Sequence, residues 1–414
     1  MDKIIDTIRR IRRNISGTVK ILRDEESRTN QPGLKEIDPG KPIAEQPELL
    51  YFENELCRHI KLSRYYSIMA IDSSTRVLDT PYFFMGIGAV SALNRFKGIY
   101  VDYPDANAIF SGRTDMKWLV FVPEITFNGQ IDLIGVTKNP ADVPYTPEYN
   151  KYVILDELRF SLENYMLREL LIKELVDEST FLLIDGPLYY VPSFVYQYSK
   201  LVPPSRGMID NYVSSWKVLT EERVMLLEKY YRNSIPVMGV IKRLETSTLL
   251  STLDPLEISL GNKINDQAYL SILVSRINEQ FSKPFILGPI RIDTSSSVLK
   301  EYVKNIKNKI VYYIGIPKRI HVSSRMYSNY TFYRIEIFEE GKQLYREKSL
   351  TPYEAALYDS YCSGTLLPLS IMLVDKRVKK LSRSLSNYLL RVLESGGIPL
   401  TYDTMRMIEG KFIE

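Results

Sequence analysis

The chain has little of what would staple it covalently or hold a soft metal. Its 414 residues include two cysteines, Cys57 and Cys362, and two histidines, His59 and His321. These counts argue against a disulfide framework and a histidine-rich zinc site, and they fit a reducing, cytoplasmic compartment. No Cys-x-x-Cys pair occurs. No apolar run approaches the roughly 18–20 residues of a membrane span, and the N-terminus is too charged for a signal peptide. A Gly-x-x-x-x-Gly-Lys-Ser/Thr phosphate loop is missing as well; the nearest string, PGKP at 39–42, reads as a turn. A large excess of charge of one sign is also missing. A net +4 does not by itself specify a nucleic-acid partner, though it leaves room for local basic faces. Internal repeats and low-complexity tracts are absent. What remains is an ordinary globular composition, 45% hydrophobic and 25% charged, with enough length to bury a sizeable core.

Along the chain, Ile4, Ile8, Ile11, Ile15, Val19 and Leu22 recur at helical spacing, so residues 1–24 read as an amphipathic helix made basic by Arg9, Arg10, Arg12, Arg13, Lys20 and Arg23. Residues 25–48 are polar and hold Pro32, Pro39, Pro42 and Pro47; they read as a linker or surface loop. The remainder, 49–414, reads as the main domain. A helix is expected near 48–62, then β-rich stretches at 65–72, 82–93, 97–102 and 117–127. The clearest helix follows at 155–177, then a strand at 181–184, a helical region near 219–233 and a strand at 236–242. Later strands are expected at 309–316 and 331–338, and a long amphipathic helix at 374–395. Strands clustered first, then a helix, then a buried strand, is the plan of an RNase H-like α/β fold: a mixed sheet flanked by helices, preceded here by the N-terminal helix and linker.

Two of these strands end on a carboxylate. The apolar run before Asp72 stops in Ser73 and Ser74, and Phe181–Ile184 runs into Asp185, Gly186 and Pro187. Asp followed by Ser or Gly is a common turn signal. Two such carboxylates at one edge of an α/β sheet, where ligands gather, would repel unless they share a proton or hold a cation. Oxygen-only donors suit Mn²⁺ or Mg²⁺, the ions used for metal-assisted phosphodiester hydrolysis. The helix before Asp185 offers Glu157, Glu163 and Glu169 as a third acid. Winding at 100° per residue places Glu169 among Leu158, Leu162, Tyr165 and Ile172, and Glu163 near Leu167 and Leu170. A strand of this length rises roughly 13–17 Å. Walking back that far from Val176 takes about nine to eleven helical residues, which lands between the two. Glu169 is the expected ligand, with Glu163 as the alternate.

These residues resemble the NurA nucleases of archaea and some bacteria. AIDSS (70–74) looks like the family's first motif, usually written with Gly after the Asp. LRELLIKELVDESTFLLIDGPL (167–188) resembles its helix-glutamate and strand-aspartate segment, PVMGVIKRLETS (236–247) its central Lys strand and ILGPI (286–290) a later turn. FYRIEIF (332–338) is similar to a C-terminal strand and GTLLPLSIMLVDKRVKK (364–380) to the closing motif. The resemblance spans about 65–410. It implies an RNase H-like (PIWI-like) fold and a Mn²⁺-dependent nuclease acting on DNA ends in double-strand-break resection. It also implies a homodimer and a partnership with the HerA hexameric DNA-pumping ATPase, which would supply the motor that a chain without a phosphate loop lacks. Asp72, Glu169 and Asp185 match the family's acidic metal ligands. The closing motif normally carries a histidine after its Pro-Leu pair; here the nearest position is Asp375. An oxygen ligand at that place suits Mn²⁺ or Mg²⁺, and equally the site is weakened or dead.

Basic residues near the acids are candidates for phosphate contact: Lys242 and Arg243 after the strand at 236–241; Lys318, Arg319 and Arg325; and Lys376, Arg377, Lys379, Lys380 and Arg383 on the last helix. Tyr189 and Tyr190, just past Asp185, are candidates for stacking on unpaired bases, although tyrosines in such places more often pack in a core. Two other readings stay open: a catalytically degenerate subunit of the same fold that binds DNA or docks the motor, and a short Argonaute-like protein, for which no 5′-phosphate pocket is evident. The helix at 1–24, separated from the domain by prolines, suits a docking element. Deleting residues 1–24 is expected to leave a folded dimer that binds a HerA-type hexamer more weakly; unchanged binding by calorimetry would mean that the helix packs only on its own domain.

Overall fold

The computed structural model describes residues 41–43, 48–51, 66–105, 109, 115–125, 135–189, 191–192, 207–276, 283–294, 303, 305–318 and 330–401. The expected helix at 1–24, most of the 25–48 segment, both histidines, Tyr190, Arg319 and Arg325 lie outside the described residues.

In chain order the strands and helices are β1 (Lys41–Ile43), β2 (Glu48–Tyr51), β3 (Ser67–Asp79), β4 (Phe83–Asn94), β5 (Ile99–Tyr103), β6 (Leu119–Pro123), α1 (Lys151–Ile172), β7 (Thr180–Asp185), α2 (Gly207–Arg232), β8 (Val237–Ile241), α3 (Leu249–Leu253), α4 (Asp266–Arg276), β9 (Phe285–Asp293), β10 (Lys309–Pro317), β11 (Tyr330–Phe338), α5 (Lys342–Glu347), α6 (Pro352–Asp359) and α7 (Leu369–Ser395). The eleven strands form one mixed sheet in the order β1-β9-β10-β11-β8-β7-β3-β4-β5, with β2 on β9 and β6 on β4. The first long strands make an antiparallel meander, β3 on β4 and β4 on β5. After the crossover through α1, β7 lies parallel to β3, and β8 lies parallel to β7. This is the expected RNase H-like plan, extended by an antiparallel wing of β11, β10 and β9.

The alternation of side chains along β3 and β7 sorts the two layers. Met69, Ile71, Leu182 and Ile184 join one core with Leu158, Leu162, Met166 and Leu167 of α1 and Trp216 and Leu227 of α2. Ile68, Ala70, Phe181 and Leu183 join another with Ala355 and Ala356 of α6 and Ile371 and Val374 of α7. Burial on both faces explains why these strands read as continuous apolar runs. Gly88 lets α1 lie close on β4: a Cβ there would sit 2.4 Å from Leu162 Cδ1 and 3.0 Å from Leu158 Cγ.

Several elements differ from expectation. Glu48–Tyr51 is a strand paired with β9, where a helix was expected, and Lys41–Ile43 adds a second short strand inside the segment read as linker. The string 286–290, likened to a turn, lies within β9. Pro289 speaks against a strand because it cannot donate to the ladder; it is accommodated where the register between β9 and β10 shifts, between Val311 and Tyr313. The helix α1 begins earlier than expected, because the Asn150 side chain accepts from the backbone N–H groups of Tyr152 and Val153. It also stops earlier, at Ile172, with Glu174 in the left-handed region at φ 51°. The helix α7 starts after Pro368 rather than at 374, its first turn held by Asp359, which accepts from Ser370 N at 2.8 Å and pairs with Arg95 of the β4 end. Cys362, in the turn before α7, is disulfide-bonded. A single bond is compatible with a cysteine count too low for a disulfide framework.

A buried ion pair fixes the chain just beyond β7. Lys309 and Glu336 are each 1% exposed and 3.0 Å apart. Glu336 also accepts from Leu188 N at 2.6 Å, and Lys309 donates to Tyr189 O at 3.2 Å. Lys309→Met would leave the Glu336 carboxylate buried without its cation, and the expected loss is about 3–5 kcal/mol of unfolding free energy. Urea denaturation measures it; a loss below about 1 kcal/mol would mean that the pair is already solvated.

Candidate functional site

The same alternation that sorts the core also aims the polar side chains at the sheet edge. Asp72 has the parity of Ile68 and Ala70, and Asp185 that of Phe181 and Leu183, so both point to the α7 layer. Lys242, the residue after β8, has the parity of Met238 and Val240, and Val240 is the register partner of Asp185. It therefore reaches the same place. From that layer α7 supplies Asp375. Carboxylate oxygens of Asp72, Asp185 and Asp375 all lie within 4.8 Å of one another; among the described residues no other group of three or more potential ligands is so arranged. Lys242 Nζ donates to Asp185 Oδ2 at 2.5 Å and stands 3.6 Å from Asp375 Oδ1. Gly239 permits the close approach that closes this edge, since a Cβ there would meet Gly186 O at 2.7 Å and Leu188 N at 2.9 Å, and Gly186 makes the turn after Asp185 at φ 118°.

Glu163 enters from the other face. Ser73 has the opposite parity to Asp72, and its hydroxyl donates to Glu163 Oε1 at 2.5 Å. Buried Arg223 donates to Glu163 Oε2 at 2.8 Å, to Asn164 Oδ1 at 2.5 Å and to Leu188 O at 3.2 Å. The acids, Ser73, Lys242, Arg243 and Lys379 line one open cavity.

The electrostatics describe negative charge in excess. Burial, then the charges of Asp185 and Glu163, pushes the Asp72 carboxyl well above the usual range, against the pull of Lys242. Burial raises Asp185 as well, with Lys242 opposing it. For Asp375, burial is outweighed by a hydrogen bond from Lys379 and by the charge of Lys242, so this group is lowered. Burial works against the Lys242 ammonium, and the attraction of Asp185 overcomes it, raising the group. A cation would relieve the strain on Asp72. The donors are all carboxylate oxygens, which fits Mn²⁺ or Mg²⁺ and does not favour zinc.

Of the residues expected from sequence, Asp72, Asp185 and Asp375 come together and Glu169 does not. Its carboxylate pairs with Lys173, one turn on, at 2.8 Å. Glu163 takes the place beside the cavity, and the cause is the helix end. Counted from Ile172 rather than Val176, the same nine to eleven residues reach 161–163. Tyr189 is 1% exposed, with its hydroxyl donating to Lys307 O at 3.0 Å; it backs the cavity wall as core and offers no free ring face. Arg377 grips Asp102 through two nitrogens and lies over the Tyr100 ring, so it ties α7 to β5. Lys242 sits inside the acid cluster, while Arg243 and Lys376 are exposed. Arg223 and Ser73 were not foreseen. Arg223 stands four residues from both Leu219 and Leu227 on the buried stripe of α2, and a charged residue in that position signals a buried partner.

The third helix acid, Glu157, lies away from the cavity and accepts from the hydroxyls of Tyr145 at 2.9 Å and Tyr149 at 2.7 Å.

The chain matches the NurA domain over residues 66–380 and belongs to that family. Solved structures with a similar chain course include the NurA nuclease from Sulfolobus solfataricus (12% identity, 84% of this chain and 87% of that one, TM-score 0.39). Others are NurA with manganese (13%, 79% and 89%, 0.41) and NurA bound to dAMP and manganese (13%, 82% and 86%, 0.39). With TM-scores this low, none of them bears on the site. No curated protein matches the chain.

Burial raises the Glu157 carboxyl to about 7, although the tyrosine hydroxyls favour its charged form. The folded state thus holds a proton that an unfolded glutamate, at 4.5, releases earlier. Its stabilising contribution is complete below about pH 4.5 and falls as pH rises toward about 7. Glu157→Gln should flatten that decline in urea midpoints taken from about pH 4 to 8; an unchanged slope would place the titration elsewhere.

Proposed function

We propose that the protein is a metal-dependent nuclease that hydrolyses DNA from its ends. The observation that carries this reading is the convergence of Asp72, Asp185 and Asp375 in an open cavity of a NurA-family domain. These three residues would hold Mn²⁺ or Mg²⁺, which when bound makes a water more acidic and takes up charge on the phosphoryl group. Glu163, fixed by Arg223, holds the Ser73 hydroxyl in place beside Asp72. Exposed Arg243, Lys376, Lys379, Lys380 and Arg383 offer positive charge to the phosphate backbone, an attraction without sequence preference that weakens with salt. The chain has no phosphate loop of its own. A HerA-like hexameric ATPase as the motor that delivers ends, and a homodimeric working state, complete the reading. The ion pair of Lys242 with Asp185 favours the competing reading, a subunit that binds DNA without cutting it, because it already neutralises part of the cluster.

Degradation of end-labelled linear DNA with Mn²⁺ decides. Asp72→Asn and Asp185→Asn keep the shape and remove charge, so cutting should fall by orders of magnitude while the fold survives. Glu163→Gln should lose most activity and Glu169→Gln very little. If Asp185→Asn cuts as fast as the parent, the site is misassigned; a parent that binds DNA and never cuts supports the non-cutting subunit.

A further inference from the structure

We propose that Lys242 serves as a built-in cation at the place where a second divalent ion would sit, so that this chain works with one metal ion per site. The inference rests on the metal-dependent reading above and specifies its stoichiometry.

Its basis is position. Two-metal phosphodiesterases hold their ions about 3.5–4 Å apart, bridged and flanked by carboxylates. In this cluster the Lys242 ammonium stands between Asp185 and Asp375, at 2.5 Å and 3.6 Å, where an ion shared by those two side chains would lie. It is not a solvent lysine that has folded inward. Position 242 directly follows β8, and Val240, two residues before it on the same face, is in register with Asp185. The lysine side chain is 26% exposed, against 58% for Lys379, which approaches Asp375 from the solvent side.

Charge agrees with position. Glu163 is matched by buried Arg223 and adds no net charge. With a metal bound, Asp72, Asp185 and Asp375 would carry three negative charges; Lys242 from within and exposed Lys379, 2.8 Å from Asp375, already offset part of them, and what is left matches one divalent ion and falls short of two. Donor number agrees too. Octahedral Mg²⁺ takes about six oxygens per ion, water included, and three carboxylates, two of them already bound to ammonium groups, serve one ion far better than two.

The test is Mn²⁺ binding to the full chain, read by titration calorimetry and by electron paramagnetic resonance. The parent and Lys242→Arg should each bind one ion and give the spectrum of an isolated Mn²⁺. Lys242→Met, which keeps the length and removes the charge, should bind a second ion and give a spin-coupled pair. A coupled pair in the parent, or a single ion in Lys242→Met, overturns the role of Lys242 and leaves the nuclease reading intact. If Lys242→Met does not fold, the parent spectrum alone decides. A parent that binds no Mn²⁺, or an Asp185→Asn variant that binds it as the parent does, overturns the metal centre itself and this inference with it.

Discussion

Repulsion among three carboxylates at one sheet edge is the constraint around which the molecule is arranged. Strands β3 and β7 each end an apolar run on an aspartate of the same parity, and α7 adds a third from the facing layer. Such a cluster is tolerated only with compensating positive charge and rigid walls. Lys242 supplies charge from within. The walls come from strand register, because Ile71 opposite Ile184 and Asp185 opposite Val240 leave little freedom for the residues that follow.

Around this centre, ion pairs, two of them buried, hold the supporting elements. Arg223 joins α2 to Glu163 and Asn164 of α1 and to the carbonyl of Leu188, so one guanidinium orders three pieces of backbone. Lys309 and Glu336 hold Leu188 and Tyr189 from the other side. Asp359 caps α7 through Ser370 and binds Arg95, and Arg377 grips Asp102 farther along the same helix. The buried pairs, Arg223 with Glu163 and Lys309 with Glu336, are costly to break, since removing one member strands the other in a poor dielectric. This polar scaffold serves orientation, while the hydrophobic layers provide the bulk of cohesion.

Legibility of the site varied with the distance over which each residue is decided. The strand aspartates were visible because an apolar run ending in acid then Ser or Gly is a local pattern. The choice between Glu163 and Glu169 was not, since both lie on apolar arcs of one helix and the answer depends on where that helix ends. Its end at Ile172 lies four residues before Val176, from which the count began, and that moves the counted position by one helical turn. Tyr189 shows the same limit: a tyrosine after a site strand reads equally as a stacking ring or as core, and Lys309 and Lys307 decided for core.

By itself, the sequence determined the order of strands and helices through the central domain, the RNase H-like plan, and the two carboxylates that the sheet would carry to its edge. Side-chain periodicity is a property of the local backbone, so it fixes which way a residue faces. Tertiary structure alone decided what each residue faces. It brought Lys242 to Asp185 across 57 positions and Arg223 to Glu163 across 60, and it set Asp375 opposite both strands. It also turned Arg377 from a candidate phosphate contact into a tie to Asp102. Partners so far apart along the chain are chosen by packing of whole elements, which no window of sequence contains.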